Sequence, residues 1–320
     1  ANGGTDTLYD VEWLIFDYGL DTEQKISTSY LVHDTTTLIS GWSAYDPSLI
    51  PALGGNEIYV AEGTYWTFTD DEHTISWALA NNGAFSWPNM DTIQDVLGNA
   101  LEEFSKVADI AFQYFGAFDS VALAEDSGVD FVYTLDDLTG STIAQAFFPY
   151  NDTYGPDRTI DYDSPIIDEI YSSDQFNEFI TFITIHETGH TLGLKHPHDG
   201  SYLNSNTVGT PQNAYEDGYS TLYTAMSYYN ESGMFDADSY YAITPMYFDI
   251  EVLQAIYGAP TYLGSQGDTE YAMLDNNTYQ TIYDANGNDT FNASAAKKGW
   301  YIELSTGDDG LAWAEACGSD

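Results

Sequence analysis

The sequence predicts an α+β protein. Three stretches carry apolar residues at helical spacing, and shorter aromatic and β-branched runs surround them without a regular strand–helix alternation. The chain then closes in a Gly-, Asp- and Asn-rich region with only brief aromatic segments. The expected architecture is a mixed twisted sheet with helices, followed by a small β region held by turns and ions more than by a deep core. With 320 residues, 43% of them hydrophobic, there is enough chain for about two domains and a genuine core.

Residues 1–72 read as strands at 11–18 and 57–68, separated by a Pro- and Gly-containing loop at 47–55. Thr74–Ala80 is the next strand. Met90–Val107 is a helix, with Ile93, Val96, Leu97, Ala100, Leu101 and Phe104 on one face and Asp91 as its expected N-cap. Strands follow at 110–115 and 129–133. Residues 175–194 form the second helix, with Phe179, Phe182, Ile183, His186 and His190 in register and Gly193 as a break near the end. A third helix at 246–257 is closed by Gly258 and Pro260. Short aromatic segments at 281–283 and 300–304 complete the chain, which has no exact internal repeat. The expected division is an N-terminal extension or pro-segment (1–72), a central domain (73–260) and a short β region (261–320).

Six Lys+Arg against 51 Asp+Glu give a net charge of −45 and a pI near 4.1. So few cations cannot neutralise phosphates, which excludes nucleic acid as a partner and disfavours anionic membrane surfaces. Self-repulsion of this size weakens a compact state unless cations screen it. About 0.5 M salt shortens the Debye length to roughly 4–5 Å, so a saline habitat or a calcium-loaded protein is expected. Cys317 stands alone, which excludes an intramolecular disulfide and a multi-cysteine metal cluster. No window of about 18 apolar residues is present, and the first five residues lack the features of a signal peptide. The expectation is a secreted monomer whose signal is removed or not needed at this end.

The chemistry concentrates in His186-Glu187-Thr188-Gly189-His190-Thr191-Leu192-Gly193-Leu194-Lys195-His196-Pro197. Histidines four apart on a helix project from one face, where two imidazoles can hold a zinc ion at about 2.0–2.1 Å. Glu187 then stands beside the metal, placed to take a proton from water. Gly193 lets the chain leave the helix with a φ that other residues avoid, so that His196 can return as a third ligand. Histidines sitting idly on a helix surface would not need the glutamate, the glycine and the third histidine at these offsets. Pro197 fixes the geometry around His198, and three ligands are already supplied, so His198 is not expected to bind; His33 and His73 are expected to be structural or exposed.

This string resembles the zinc signature of the metzincin metalloproteases, and Pro197 after the third histidine is what the serralysin branch carries. Tyr223-Thr224-Ala225-Met226-Ser227-Tyr228 resembles that family's Met-turn and places Met226 30 positions after His196. The resemblance implies that Met226 forms an apolar floor beneath the metal and that Tyr228 is a fifth zinc ligand or a transition-state donor. Ala144, Gln145, Ala146 and Phe147, within 144–149, are similar to the edge strand above the cleft, which would accept an extended peptide by strand addition. Ser265, Gly267, Thr269, Asp284, Asn286 and Asp289 resemble the first calcium loops of a serralysin C-terminal domain, whose oxygen ligands suit Ca²⁺. The usual glycine-rich nonapeptide repeats are missing: Gly307-Asp308-Asp309-Gly310 is at most a remnant, so the C-terminal region is expected to be truncated or minimal.

The implied activity is that of a secreted zinc endopeptidase acting on proteins or peptides, with Glu187 as general base and Tyr228 supporting the oxyanion. Two other readings stay open. One is a latent form that needs residues 1–72 removed. The other is a non-catalytic, calcium-dependent surface protein with a structural zinc. Glu187 argues against the latter, because a structural site needs no base and takes a fourth protein ligand.

Overall fold

The computed structural model describes residues 65–66, 68, 73–146, 158–194, 196, 221–228, 241–260, 267–272, 278–284 and 287–296 in full. It also describes the backbone of the strand segments 7–8, 13–17, 42–44, 59–60, 229–230, 233–234, 300–303 and 312–316. Four short strands come first: β1 (Thr7–Leu8), β2 (Trp13–Asp17), β3 (Trp42–Ala44) and β4 (Tyr59–Val60). The central part runs β5 (Thr74–Ala80), α1 (Met90–Val107), β6 (Ala111–Phe118), α2 (Val121–Asp126), β7 (Phe131–Asp136), β8 (Ala144–Ala146), β9 (Thr159–Asp163), α3 (Ser164–Ile170) and α4 (Phe176–Thr191). Next come β10 (Tyr229–Asn230), β11 (Gly233–Met234), β12 (Tyr241–Ala242) and α5 (Tyr247–Tyr257). The last strands are β13 (Glu270–Ala272), β14 (Thr278–Tyr283), β15 (Asp289–Asn292), β16 (Trp300–Glu303) and β17 (Ala312–Ala316).

The main sheet has the order β6-β5-β7-β9-β8, so the α+β class expected from the sequence holds. Its four inner pairings are not all alike: β5 runs parallel to β6 and β7, and β7 runs parallel to β9, whereas β8 is the antiparallel edge. Parallel neighbours need crossovers: α1 connects β5 to β6 and α2 connects β6 to β7, while β8 lies in the connection from β7 to β9. One face packs on α1 and α4 through Ile93, Leu97, Leu101, Phe104, Ile180 and Ile183, together with Tyr133 and Tyr162 from the sheet. The other face carries a smaller cluster of Ala78, Ala80, Val129 and Val132 with Ala124 of α2.

α1 forms where its apolar face dictated, but its cap is corrected. Asn89, not Asp91, accepts the free N–H groups of Asp91 and Thr92, at 3.1 and 3.2 Å. Asp91 lies inside the first turn, where its charge still complements the helix dipole. Its partner α4 is buried on nearly every side from Ile180 onward, as a central helix must be. Two hydroxyl pairs fasten it to the sheet. Tyr133 Oη lies 2.7 Å from Thr188 Oγ1, and Tyr162 Oη donates to Thr184 Oγ1 at 2.9 Å, because that threonine spends its own proton on Ile180 O at 2.6 Å. At about 100° per residue, positions 184 and 188 lie nearly opposite 186 and 190. The pinned face therefore turns His186 and His190 away from the sheet.

Tyr65, Trp66 and Phe68 pack against the same core. Further upstream, β2 sits between β14 and β17 in a second five-stranded sheet, β12-β14-β2-β17-β16, and β1 joins β15 and β13. Within the expected strands at 11–18 and 57–68, the described strand residues are 13–17 and 59–60, while Tyr65, Trp66 and Phe68 are not in a strand. No helix among the described residues is long and apolar enough to cross a membrane.

Candidate functional site

α4 carries two of the site's three imidazoles and ends just beyond them. Leu192 caps it, Gly193 takes a φ of 97°, and the chain turns back so that His196 faces the helix. Both helix-borne rings are held by backbone carbonyls. His186 Nδ1 donates to Ala225 O at 2.8 Å, and His190 Nδ1 donates to Leu194 O at 2.8 Å. A carbonyl can only accept, so each of these rings carries its proton on Nδ1 and aims a bare Nε2 lone pair inward.

Those lone pairs meet His196. Its Nε2 lies 3.1 Å from both His186 Nε2 and His190 Nε2, and the ligand atoms of all three rings fall within 4.8 Å of one another. A neutral imidazole has one N–H to give, so at most one of the two contacts can be a hydrogen bond at a time. A cation at the shared centre satisfies both. On a tetrahedral zinc at about 2.0–2.1 Å, ligand nitrogens stand roughly 3.3–3.4 Å apart, close to the observed spacing. The donor set and its carbonyl-fixed tautomers fit a catalytic-type zinc with three protein ligands.

Glu187 is 7% exposed, and its carboxyl is pushed up to about 8, first by burial and second by the charge of Asp161. A divalent cation on the neighbouring histidines would pull that value down. Asp161, on β9, accepts Gln145 Nε2 of the edge strand at 3.0 Å. Ala144, Gln145 and Ala146 are half-buried and pair antiparallel with Tyr162, Asp161 and Ile160, while Phe147 lies outside the described residues.

Tyr228 lies over the imidazoles, its ring stacked on His186 at 5.5 Å between centroids and 4.3 Å from that of His196. Exposed to 42%, it faces the solvent side of the centre. Met226 is buried, and its sulfur packs on α4 at Gly189, between His186 and His190. A Cβ there would stand 2.5 Å from that sulfur, so any larger residue would force Met226 to shift.

Asp249, in the first turn of α5, was not singled out by the sequence. It accepts Thr224 Oγ1 at 2.6 Å, Ala225 N at 2.7 Å and Met246 N at 2.9 Å, and so holds the turn whose carbonyl anchors His186. Burial pushes its carboxyl up to about 6 in spite of those three donors. Its signal in the sequence was an aspartate inside the apolar run Tyr247-Phe248-Asp249-Ile250.

Of the residues compared with calcium loops, Ser265 and Asn286 lie outside the described residues. Gly267, Thr269, Asp284 and Asp289 come together in one corner. Asp289 Oδ1 accepts Thr269 N at 3.0 Å, Tyr271 donates to Asp284 at 2.5 Å, and Gly287, with φ 114°, passes so close to Gly267 that a Cβ would meet its carbonyl oxygen at 2.6 Å. Asp289 is pushed up by burial and by the charges of Asp284 and Asp268. His73 is half-buried against Asp109 and Phe68, away from the centre; His33 and His198 lie outside the described residues.

Comparison with known proteins points the same way. A family profile described as Matrixin matches residues 66–216. Serralysin of Proteus mirabilis is 29% identical over 230 residues, covering 65% of this chain and 45% of that protein. Metalloprotease AprA of Pseudomonas entomophila is 26% identical over 233 residues, covering 64% and 44%. Serralysin of Photorhabdus laumondii is 37% identical over 134 residues, covering 37% and 28%. The chain thus spans less than half the length of these relatives.

Proposed function

Because this chain belongs with the serralysin-type metzincin metalloproteases, we propose that it is a secreted zinc endopeptidase that hydrolyses peptide bonds in proteins. The observation that carries the reading is the convergence of three Nε2 atoms, with 3.1 Å contacts to His196 and two of the rings locked as Nδ1–H donors.

His186, His190 and His196 would hold the zinc, which when bound polarises a carbonyl and acidifies water. Glu187 takes the proton of the attacking water and returns it to the leaving amine; its buried position keeps bulk water from competing for that proton. Tyr228, over the open side of the centre, is the side chain available to donate to the developing oxyanion. Gln145 and its neighbours on β8, the edge strand among the described residues, offer backbone groups to an extended substrate, with Asp161 fixing the Gln145 side chain.

Gly267, Thr269, Asp284 and Asp289, with Ser265 and Asn286, form the proposed calcium corner; the mutual repulsion of Asp284, Asp289 and Asp268 is the feature a cation would relieve. Residues 1–72 are read as a structural layer in preference to a removable pro-segment, a reading supported by the place of β2 between β14 and β17.

The test is Glu187→Ala with bound zinc quantified. Retained zinc with casein cleavage reduced by several orders of magnitude is expected. Full cleavage by that variant, or a native chain that takes up no zinc, would overturn the proposal.

A further inference from the structure

α5 touches neither the three histidines nor Glu187 through any described hydrogen bond, yet it reaches the supports of both helix-borne rings. At its N-terminal end, Asp249 bonds the backbone N–H of Ala225, the residue whose carbonyl fixes His186. At its C-terminal end, Tyr257 Oη donates to Leu192 O at 2.8 Å. Leu192 begins the turn that leads to His196, and Leu194, two residues on, supplies the carbonyl that fixes His190. The last carbonyls of a helix have no partner within it, so this hydroxyl both satisfies Leu192 O and sets where the turn starts.

Tyr257 is itself held. Its oxygen accepts Trp66 N at 3.3 Å, and its ring lies 6.5 Å from Tyr65 and 6.2 Å from Phe68. Burial pushes its phenol far up, so it remains a donor at any working pH. Tyr257 lies eight helical steps beyond Asp249, a rigid span of about 12 Å.

We infer that α5 is a brace for the metal centre, with Asp249 and Tyr257 as positioning residues that set the orientation of His186 and His190 from its two ends. Tyr65, Trp66 and Phe68 belong to this device, since they clamp Tyr257 from the other side. The inference rests on the reading that the three histidines hold zinc. Partners of metal-ligating histidines typically affect metal affinity by 10–100-fold when lost. Tyr257 and Asp249 act one step further out, through the backbone that carries those partners.

The experiment compares the full chain with Tyr257→Phe, which keeps the ring and removes the hydroxyl, and with Asp249→Asn. Zinc dissociation constants are measured by chelator competition, the absorption of the Co²⁺-substituted proteins is recorded, and unfolding of the metal-free proteins serves as the stability control. Zinc binding about tenfold weaker in each variant is expected, with a shifted Co²⁺ spectrum and a fall in kcat larger than any change in KM. Unchanged zinc affinity and an unchanged Co²⁺ spectrum, whatever the loss of stability, would overturn the brace alone. Failure of the native chain to bind zinc would overturn it together with the proposed function.

Discussion

Replacing Gly189 by alanine sets two calculable effects against each other. In the interior of α4, alanine is favoured over glycine by about 1 kcal/mol. The added Cβ, however, would lie 2.5 Å from Met226 Sδ, 3.3 Å from its Cε and 3.5 Å from Leu194 Cδ1. Heavy atoms rest at about 3.5–4.0 Å, so the sulfur must move by roughly 1 Å. Met226 is 1% exposed and has no solvent to move into. Overpacking of this kind costs about 1–3 kcal/mol, which leaves a net loss of about 1 kcal/mol. The decisive measurement is a double-mutant cycle with Met226→Ala, followed by urea unfolding of the metal-free proteins. Once the sulfur is gone, the clash goes with it and Gly189→Ala should become stabilising by about 1 kcal/mol, a coupling of about 2 kcal/mol. If the glycine substitution has the same sign and size in both backgrounds, the packing of the Met226 sulfur on the helix is not what requires glycine there.

Three further outcomes are expected. Asp249 has a folded pKa of about 6 against an ordinary value of 3.8, so the native state binds its proton more tightly. Relative to Asp249→Asn, the native chain should gain stability as pH falls from about 6 to 4, by up to about 3 kcal/mol; a difference that is flat or runs the other way over that window would mean that the three donors outweigh burial. Tyr162→Phe and Tyr133→Phe should each cost about 1 kcal/mol in urea unfolding, because each removes one buried hydroxyl pair between sheet and α4; unaltered midpoints in both would show that α4 is oriented by packing alone. Adding calcium to zinc-loaded, calcium-free protein should raise its thermal midpoint, and Asp284→Ala or Asp289→Ala should abolish that shift; a shift that survives both substitutions would place the ion elsewhere.

What the sequence disclosed and what it concealed divide along physical lines. The histidine triad was legible because its logic is local: two histidines a helical turn apart, a glutamate between them and a glycine before the third form a pattern on one short segment. The long faces of α1 and α4 were legible for the same reason, since periodicity is a property of neighbours. Asn89 was passed over because it and Asp91 are both competent caps, and only the backbone decides which side chain reaches the free N–H groups. α2 and α3 span six and seven residues, too short for periodicity to register, although Asp163 before Ser164-Pro165 was a start signal of the kind that caps provide.

The contacts that aim the site stayed hidden because they join residues far apart in the chain. Nothing near Tyr133 announces Thr188, nothing near Tyr257 announces Leu192, and β2 gives no sign of a partner more than 250 positions away. Each hydroxyl contact is worth about 1 kcal/mol, too small and too scattered to leave a motif. Their effect on the centre is disproportionate because the rings they orient must present lone pairs to one point, and a small rotation of α4 or its following turn would separate them. The motif therefore specifies which atoms can bind a metal, while the scattered hydroxyls and Asp249 determine whether those atoms meet.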